Sequence, residues 1–214
     1  IEARRPMTRE SIFRIASQTK AIVSVGIMIL QEEGRLLLHD PVGKYIPEFM
    51  NTTVAERRED GGYDVVPARR RINIRDLLTH TAGIDYGTGP ARDQWEAAGI
   101  TGWYFADRDE PIAETVARMA SLPMAAHPGE RFVYGYSTDI LGVVIEKITG
   151  QTLEEFLEER IIDPLGMKDT HFYLPHEKVD RLATVYSLYP DRLERAPDPG
   201  DMVGQGMYVN GPRK

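Results

Sequence analysis

The sequence predicts a helix-rich domain, and two patterns carry that reading. Apolar residues recur at helical spacing after Ser17 (Ile22, Val23, Gly26, Ile27, Leu30) and again after Thr138 (Ile140, Leu141, Val144, Ile145, Ile148). Strand signals are few by comparison. At 214 residues the chain is long enough for one well-packed domain or for a large piece of a bigger one.

Taken in order, Ile12, Phe13, Ile15 and Ala16 form a short apolar run that leads into a helix from Ser17 to Glu33, with Gly34 as its stop. Asp40-Pro41-Val42 starts a short turn or helix leading to Ile46-Pro47. Residues 51–71 are polar and carry Gly61-Gly62, which predicts a surface excursion, and Arg69-Arg70-Arg71 within it reads as a solvated basic patch. Apolar spacing resumes from Ile72 to Leu78 and ends at His80-Thr81-Ala82-Gly83, followed by a glycine-rich loop from Tyr86 to Pro90. Pro111 to Leu122 is a predicted helix with Ile112, Val116 and Met119 inward. Pro128-Gly129 then breaks the chain before Phe132-Val133-Tyr134. The helix from Thr138 to Ile148 is closed by Gly150, and Ser137 is its expected cap. Thr152-Leu153-Glu154-Glu155 is a capping-box pattern that opens a helix to about Ile162, ended by Pro164-Leu165-Gly166-Met167. Arg181 to Gly200 reads mostly as loop.

Composition removes several classes of function. Twenty-six basic against 33 acidic residues give a formal charge of −7, which argues against non-specific nucleic-acid binding. There is no cysteine, so disulfides, thiol catalysis and cysteine-based metal sites are excluded. His39, His127, His171 and His176 show no ligand spacing, so no metal is expected. The longest apolar run, Ala21 to Leu30, is too short to span a membrane. The chain begins at Ile1, ends on the turn-like Val209-Asn210-Gly211-Pro212-Arg213-Lys214, and reads as a fragment. With no signal peptide visible, the expectation leans towards the cytoplasm.

Ser17-Gln18-Thr19-Lys20 carries the most chemical content. Of six serines, only Ser17 has a lysine three residues on, and on a helix that spacing puts both side chains on one face. A neutral lysine beside a hydroxyl can take the serine proton and so activate a nucleophile. Both the helix N-terminus and burial are expected to lower the lysine pKa. Two rivals are weaker. His80 is a possible serine–histidine base but stands at a helix end, where a structural role is expected. Gly135-Tyr136-Ser137-Thr138-Asp139 starts like a nucleophile elbow but has Asp at its fifth position.

Four stretches in order resemble a known family: Ser17-Gln18-Thr19-Lys20, then Leu77-Leu78-Thr79-His80-Thr81-Ala82-Gly83, then Pro128-Gly129-Glu130-Arg131-Phe132-Val133-Tyr134 running into Leu141-Gly142, and finally Asp163-Pro164-Leu165-Gly166-Met167. They are similar to the serine β-lactamase-related hydrolases, which include class C β-lactamases, D-alanyl-D-alanine peptidases and family VIII carboxylesterases. The resemblance implies an α/β (α+β), β-lactamase/transpeptidase-like fold, with residues 1–214 a single catalytic domain truncated at both ends. This chain would be mainly the helical domain, with most of the antiparallel sheet missing. It implies Ser17 as the acylated nucleophile, Lys20 as its general-base partner, and Tyr134 as the second proton-transfer residue. Tyr134 stands eight residues before Gly142, the family spacing, whereas Tyr136 stands six before it. Where β-lactamases usually have Asn to bind a substrate amide, this chain has Tyr136, expected to line the substrate site. That substitution leans towards a carboxylesterase of short-chain esters rather than a β-lactamase or D-alanyl-D-alanine peptidase. The third reading is a non-catalytic relative that uses the pocket for binding or the fold as a scaffold. The family's Lys-Thr-Gly element is not found in this chain. The implied partner is a small-molecule ester or amide, and no cofactor is implied.

Overall fold

Helix α1 (Thr19–Glu32) buries Val23, Gly26, Ile27 and Leu30, the stripe the spacing predicts. It is preceded by a single 3₁₀ turn at Ala16–Gln18, so the regular helix starts two residues after Ser17. These coordinates come from a computed structural model that describes residues 6–102 and 110–195. Two further helices close over α1: α5 (Ser137–Thr149) and α6 (Leu153–Leu157), the latter continuing into a π-helical turn at Glu158–Ile162. Gly26 sets how closely they approach. A Cβ placed there would meet Ile145, Leu157 and Phe156 at 3.1–3.2 Å. As predicted, Gly150 closes α5 in a left-handed conformation (φ 75°), and the Thr152–Glu155 capping box opens α6.

The remaining elements build a platform at the other side of the core. They are the hairpin β1 (Thr53–Arg57) and β2 (Tyr63–Pro67), then α2 (Ile74–Leu78), α3 (Arg92–Ala97) and α4 (Ile112–Met119). A second hairpin, β3 (Tyr186–Leu188) with β4 (Leu193–Arg195), lies exposed near the end of the described chain. One parallel bridge links the segment leading to Ser17 with this region: the Ile12 N–H donates to the Arg181 carbonyl at 2.8 Å, and the Ala183 N–H to the Ile12 carbonyl at 2.7 Å.

Several expectations are refined or corrected. Residues 51–71 lie mostly at the surface, as the sequence predicts, but they are ordered as a hairpin rooted in the core. Their Val54 and Ala55 are buried, and β1 pairs with β2 in register Val54↔Val66 and also bridges to Met124. The hairpin is clipped to the core by His127, whose Nδ1 accepts the Arg69 N–H at 3.3 Å. That leaves Nε2–H to donate to Glu56 at 2.7 Å. Arg69-Arg70-Arg71 is solvent-exposed, as the sequence predicts, but two of its members are paired. Arg70 forks onto the buried carboxylate of Asp76 at 2.5 and 2.8 Å, and Arg69 pairs with Glu56. Ser137 does not cap α5. It is the first helical residue, fully buried, and its Oγ has no hydrogen-bond partner, because α5 begins one residue earlier than the apolar spacing indicates. The Arg181–Gly200 loop contains the β3–β4 hairpin, while its residues 196–200 and the 209–214 turn lie outside the described residues. Helix α3 was not anticipated. It is short, lacks a capping side chain, and buries only Trp95.

Asp76 is the busiest group in the platform. It completes a capping box with Asn73, accepts both Arg70 bonds and takes a third, longer one from the Thr81 hydroxyl at 3.3 Å. Replacing it by alanine strands that geometry, although Arg70 keeps 44% of its side chain in solvent. Asp76→Ala is therefore expected to cost about 2–3 kcal/mol, less than a fully buried pair would, as read from a chemical denaturation midpoint.

Candidate active site

Ser17 is presented by a strained backbone. Ala16, immediately before it, has φ 44°, in the left-handed region that a residue with a Cβ seldom occupies. The turn this makes starts α1 and puts Lys20 over the serine, with Nζ donating to Ser17 Oγ at 3.2 Å. From the opposite side the Tyr134 hydroxyl donates to the same oxygen at 2.8 Å, across 117 residues of sequence. Lys20 Nζ also lies 4.9 Å from the centre of the Tyr134 ring. The three predicted catalytic residues thus converge on one oxygen.

Two backbone segments bring Tyr134 there. The Val133 N–H donates to the His80 carbonyl at 2.7 Å, and the Ala125 N–H to Gly83 at 2.8 Å. Gly83 (φ 82°) allows this approach, since a Cβ on it would stand 1.9 Å from the Ala126 carbonyl oxygen. Gly135 is equally constrained: its Cβ would stand 2.4 Å from the Ile84 oxygen. His80 makes no bond to the serine through its Nδ1, which is buried without a partner, and its ring packs on Tyr134 with centroids 5.0 Å apart. A structural role, as expected, fits that packing.

Tyr86 and Asp139 also line the site, and sequence reasoning missed both. The Tyr86 ring meets Tyr134 and Tyr136 edge-on at 5.7 and 4.8 Å, and its hydroxyl hydrogen-bonds with Lys20 and Tyr134. Asp85 fixes the loop that carries it by accepting the Gly87 N–H at 3.0 Å. Asp139 lies in the first turn of α5. An acidic residue there reads as a complement to the helix dipole, which hides any second role. Tyr136 forms the floor of the site, only 1% exposed, stacked on Trp95, and its hydroxyl donates to the Gly102 carbonyl. It shapes the cavity with its ring while its polar end is engaged inside the core.

The electrostatics differ from the expectation for Lys20. Burial does push its pKa down, but the hydrogen bond with Tyr134 and the negative potentials of Tyr86, Tyr134 and Asp139 outweigh it, so the ammonium is held above its ordinary value. Tyr134 moves the other way. The Ser17 hydroxyl and then Lys20 stabilise its phenolate and lower its pKa. His80 is held below the usual histidine range, by burial first and then by Lys20. The cluster therefore favours a charged lysine beside a phenol inclined to ionise. The cavity around it measures about 750 Å³ and is mostly apolar, with Ile12, Phe13, Ile15, Phe172, Leu174 and Leu182 on its walls. Among the described residues no three His, Cys, Asp or Glu side chains stand together as metal ligands, and no helix is long and apolar enough to cross a membrane.

With this geometry in place, comparison with known proteins is decisive for the family. The beta-lactamase family model matches residues 1–211. The chain belongs to the beta-lactamase family. Among curated members of that family, it is 37% identical over 175 residues to esterase EstB of Burkholderia gladioli, covering 80% of this chain and 41% of the relative. It is 31% identical over 214 residues to the lovastatin esterase of Penicillium rubens, covering 97% of this chain and 50% of the relative. Among solved beta-lactamase-like structures, EstCE1, described as a hydrolase with promiscuous acyltransferase activity, superposes with a TM-score of 0.75 at 32% identity. That match covers 92% of this chain and 48% of the other. The chain thus spans about half the length of the relatives it matches, and its fold is β-lactamase/transpeptidase-like, with helices and only short antiparallel strands in the described part.

The tyrosine's place depends on Gly135 having no side chain. Gly135→Ala is expected to push the Tyr134 segment off Ile84 and Asp85, costing about 1–3 kcal/mol of stability. Labelling of Ser17 by a fluorophosphonate probe should slow in the same variant, while far-ultraviolet circular dichroism stays at the parent's value.

Proposed function

We propose that this chain carries the nucleophile of a serine hydrolase acting on small carboxylic esters through an acyl-Ser17 intermediate. The observation that carries the reading is the double hold on Ser17 Oγ, by Tyr134 at 2.8 Å and Lys20 at 3.2 Å. The pKa directions favour tyrosine as the base and lysine as a fixed cation. As Ser17 Oγ bonds to the ester carbonyl carbon, its proton passes to the Tyr134 phenolate and the carbonyl oxygen becomes an oxyanion. Collapse breaks the bond to the leaving oxygen, which takes the proton from Tyr134, and the phenolate is restored beside the Lys20 ammonium. Deacylation repeats the sequence with water: its proton goes to Tyr134, its oxygen to the acyl carbon, and Ser17 leaves with the proton returned. The backbone N–H of Ser17 serves as one oxyanion donor.

Support for an ester over a β-lactam or peptide comes from Tyr136. It occupies the position two after Tyr134 and has its hydroxyl committed to Gly102, so it offers no amide to a substrate amide. Relatives named as esterases agree with that lean. A relative in Escherichia coli named as a putative D-alanyl-D-alanine carboxypeptidase, 29% identical over 167 residues, keeps the peptidase reading as the alternative.

The test compares p-nitrophenyl butyrate with nitrocefin in the full-length protein. Ester turnover is expected to exceed nitrocefin cleavage, and to fall by about 10⁴-fold or more in Ser17→Ala. Tyr134→Phe is expected to lose about 10²–10⁴-fold in acylation with little change in KM. Nitrocefin cleavage at the greater rate would move the assignment to the β-lactamases. Turnover surviving in Ser17→Ala would overturn the nucleophile, and binding without acylation would leave a non-catalytic relative.

A further inference from the structure

The catalytic reading uses Ser17, Lys20 and Tyr134, and gives no task to Asp139, an ionisable group of the same cavity. Asp139 is the third residue of α5, and it lines the cavity together with Ser17, Lys20, Tyr86 and Tyr134. Its charged neighbour is the Lys20 ammonium, and Lys20 in turn feels Asp139 among the groups that stabilise its charge. Burial works against the carboxylate, while Lys20 and the residue's own backbone N–H favour it. A group desolvated in this way would be replaced by a neutral polar residue at little loss if it only began a helix.

We propose that Asp139 is a positioning residue, a half-buried counter-charge that retains the proton on Lys20 and on Tyr134 and so sets the pH window in which Ser17 can be acylated. The inference rests on the serine-hydrolase reading for its consequence, though not for its electrostatics. An anion that shares a cavity with a cation and a phenol makes both release their protons less readily. Removing it should therefore move both groups in the same direction, towards acid. The other ionisable groups on the surrounding elements are few. Tyr86 on the loop after α2 feels the same carboxylate, and His80 beside it feels Lys20. Arg14, Asp169, His171 and Tyr173 also line the cavity, and Asp169 is already paired with Lys178 and Arg181.

The Asp139 carboxyl is itself pushed up to about 6, by burial above all. Below that pH it carries a proton and the parent should behave as an Asp139→Asn variant does. Above it the two should diverge. That crossover distinguishes a counter-charge from a helix-starting residue, whose loss would lower stability at every pH.

The experiment has two arms, both on the full-length protein and Asp139→Asn, with melting temperature as a control. The first follows tyrosinate absorbance against pH, subtracting the same titration in Tyr134→Phe, and needs no substrate. Tyr134 is expected to ionise about 0.5–1 pH unit lower in Asp139→Asn. The second measures kcat/KM for p-nitrophenyl butyrate against pH. Both limbs are expected to shift to lower pH by a similar amount, with the profiles of the two proteins converging below about pH 6 and Asp139→Glu restoring the parent's limbs. Unmoved limbs and an unmoved tyrosinate titration, with a lower melting temperature, would overturn the proposal in favour of a structural role. A shifted tyrosinate titration in a protein that turns over no ester would uphold the electrostatics and refute the hydrolase reading instead.

Discussion

Residues 80–85 and 124–135 run against each other backbone to backbone, and the candidate site hangs on that contact. Backbone bonds tie Val133 to His80 and Ala125 to Gly83, and glycine at 83 and 135 removes the side chains that would hold the segments apart. Tyr134 is carried on one strip while its neighbours His80 and Tyr86 are carried on the other. The platform beneath is stiffened by Asp76, which binds α2, Arg70 and Thr81 at once. Ser17 comes from the other side of the core, on the helix that Gly26 lets settle against α5 and α6. A tyrosine and a serine 117 residues apart can share a 2.8 Å bond only because both supports are rigid.

Charge is arranged with the same economy. A single ammonium stands amid two tyrosine hydroxyls, a serine hydroxyl and a carboxylate. Its desolvation alone would lower its pKa, and it is the surrounding partial and full negative charge that reverses the direction. The same cation lowers Tyr134 and His80, so one lysine sets the protonation of the groups around the serine.

How much of this could be read in the sequence follows from how local each feature is. Ser17 and Lys20 lie one helical turn apart, and the apolar stripe of α1 is unbroken, so both were legible. Tyr134 was legible through its motif and its distance from Gly142. Tyr86 and Asp139 were not, because their roles arise from chain segments that meet only in the fold. The charge of Lys20 was misread for that reason: helix terminus and burial are local rules, and the groups that outvote them come from three distant segments. The hairpin at 53–67 was hidden because only Val54 and Ala55 are buried in β1, which gives no alternating pattern. Arg70 is exposed, as its run of charges suggests, and only its pairing was hidden, because Asp76 read as part of a helix start.

The left-handed Ala16 adds a different kind of consequence. Glycine would take that backbone freely, whereas alanine gives up about 1–2 kcal/mol to do so. Glycine would also leave the turn wide in its range of angles, and the serine after it would sample many approaches to an incoming carbonyl. The methyl group narrows that range before any substrate arrives. Part of the entropy of orienting Ser17 is thus settled during folding, so that a little global stability is exchanged for a defined direction of its side chain.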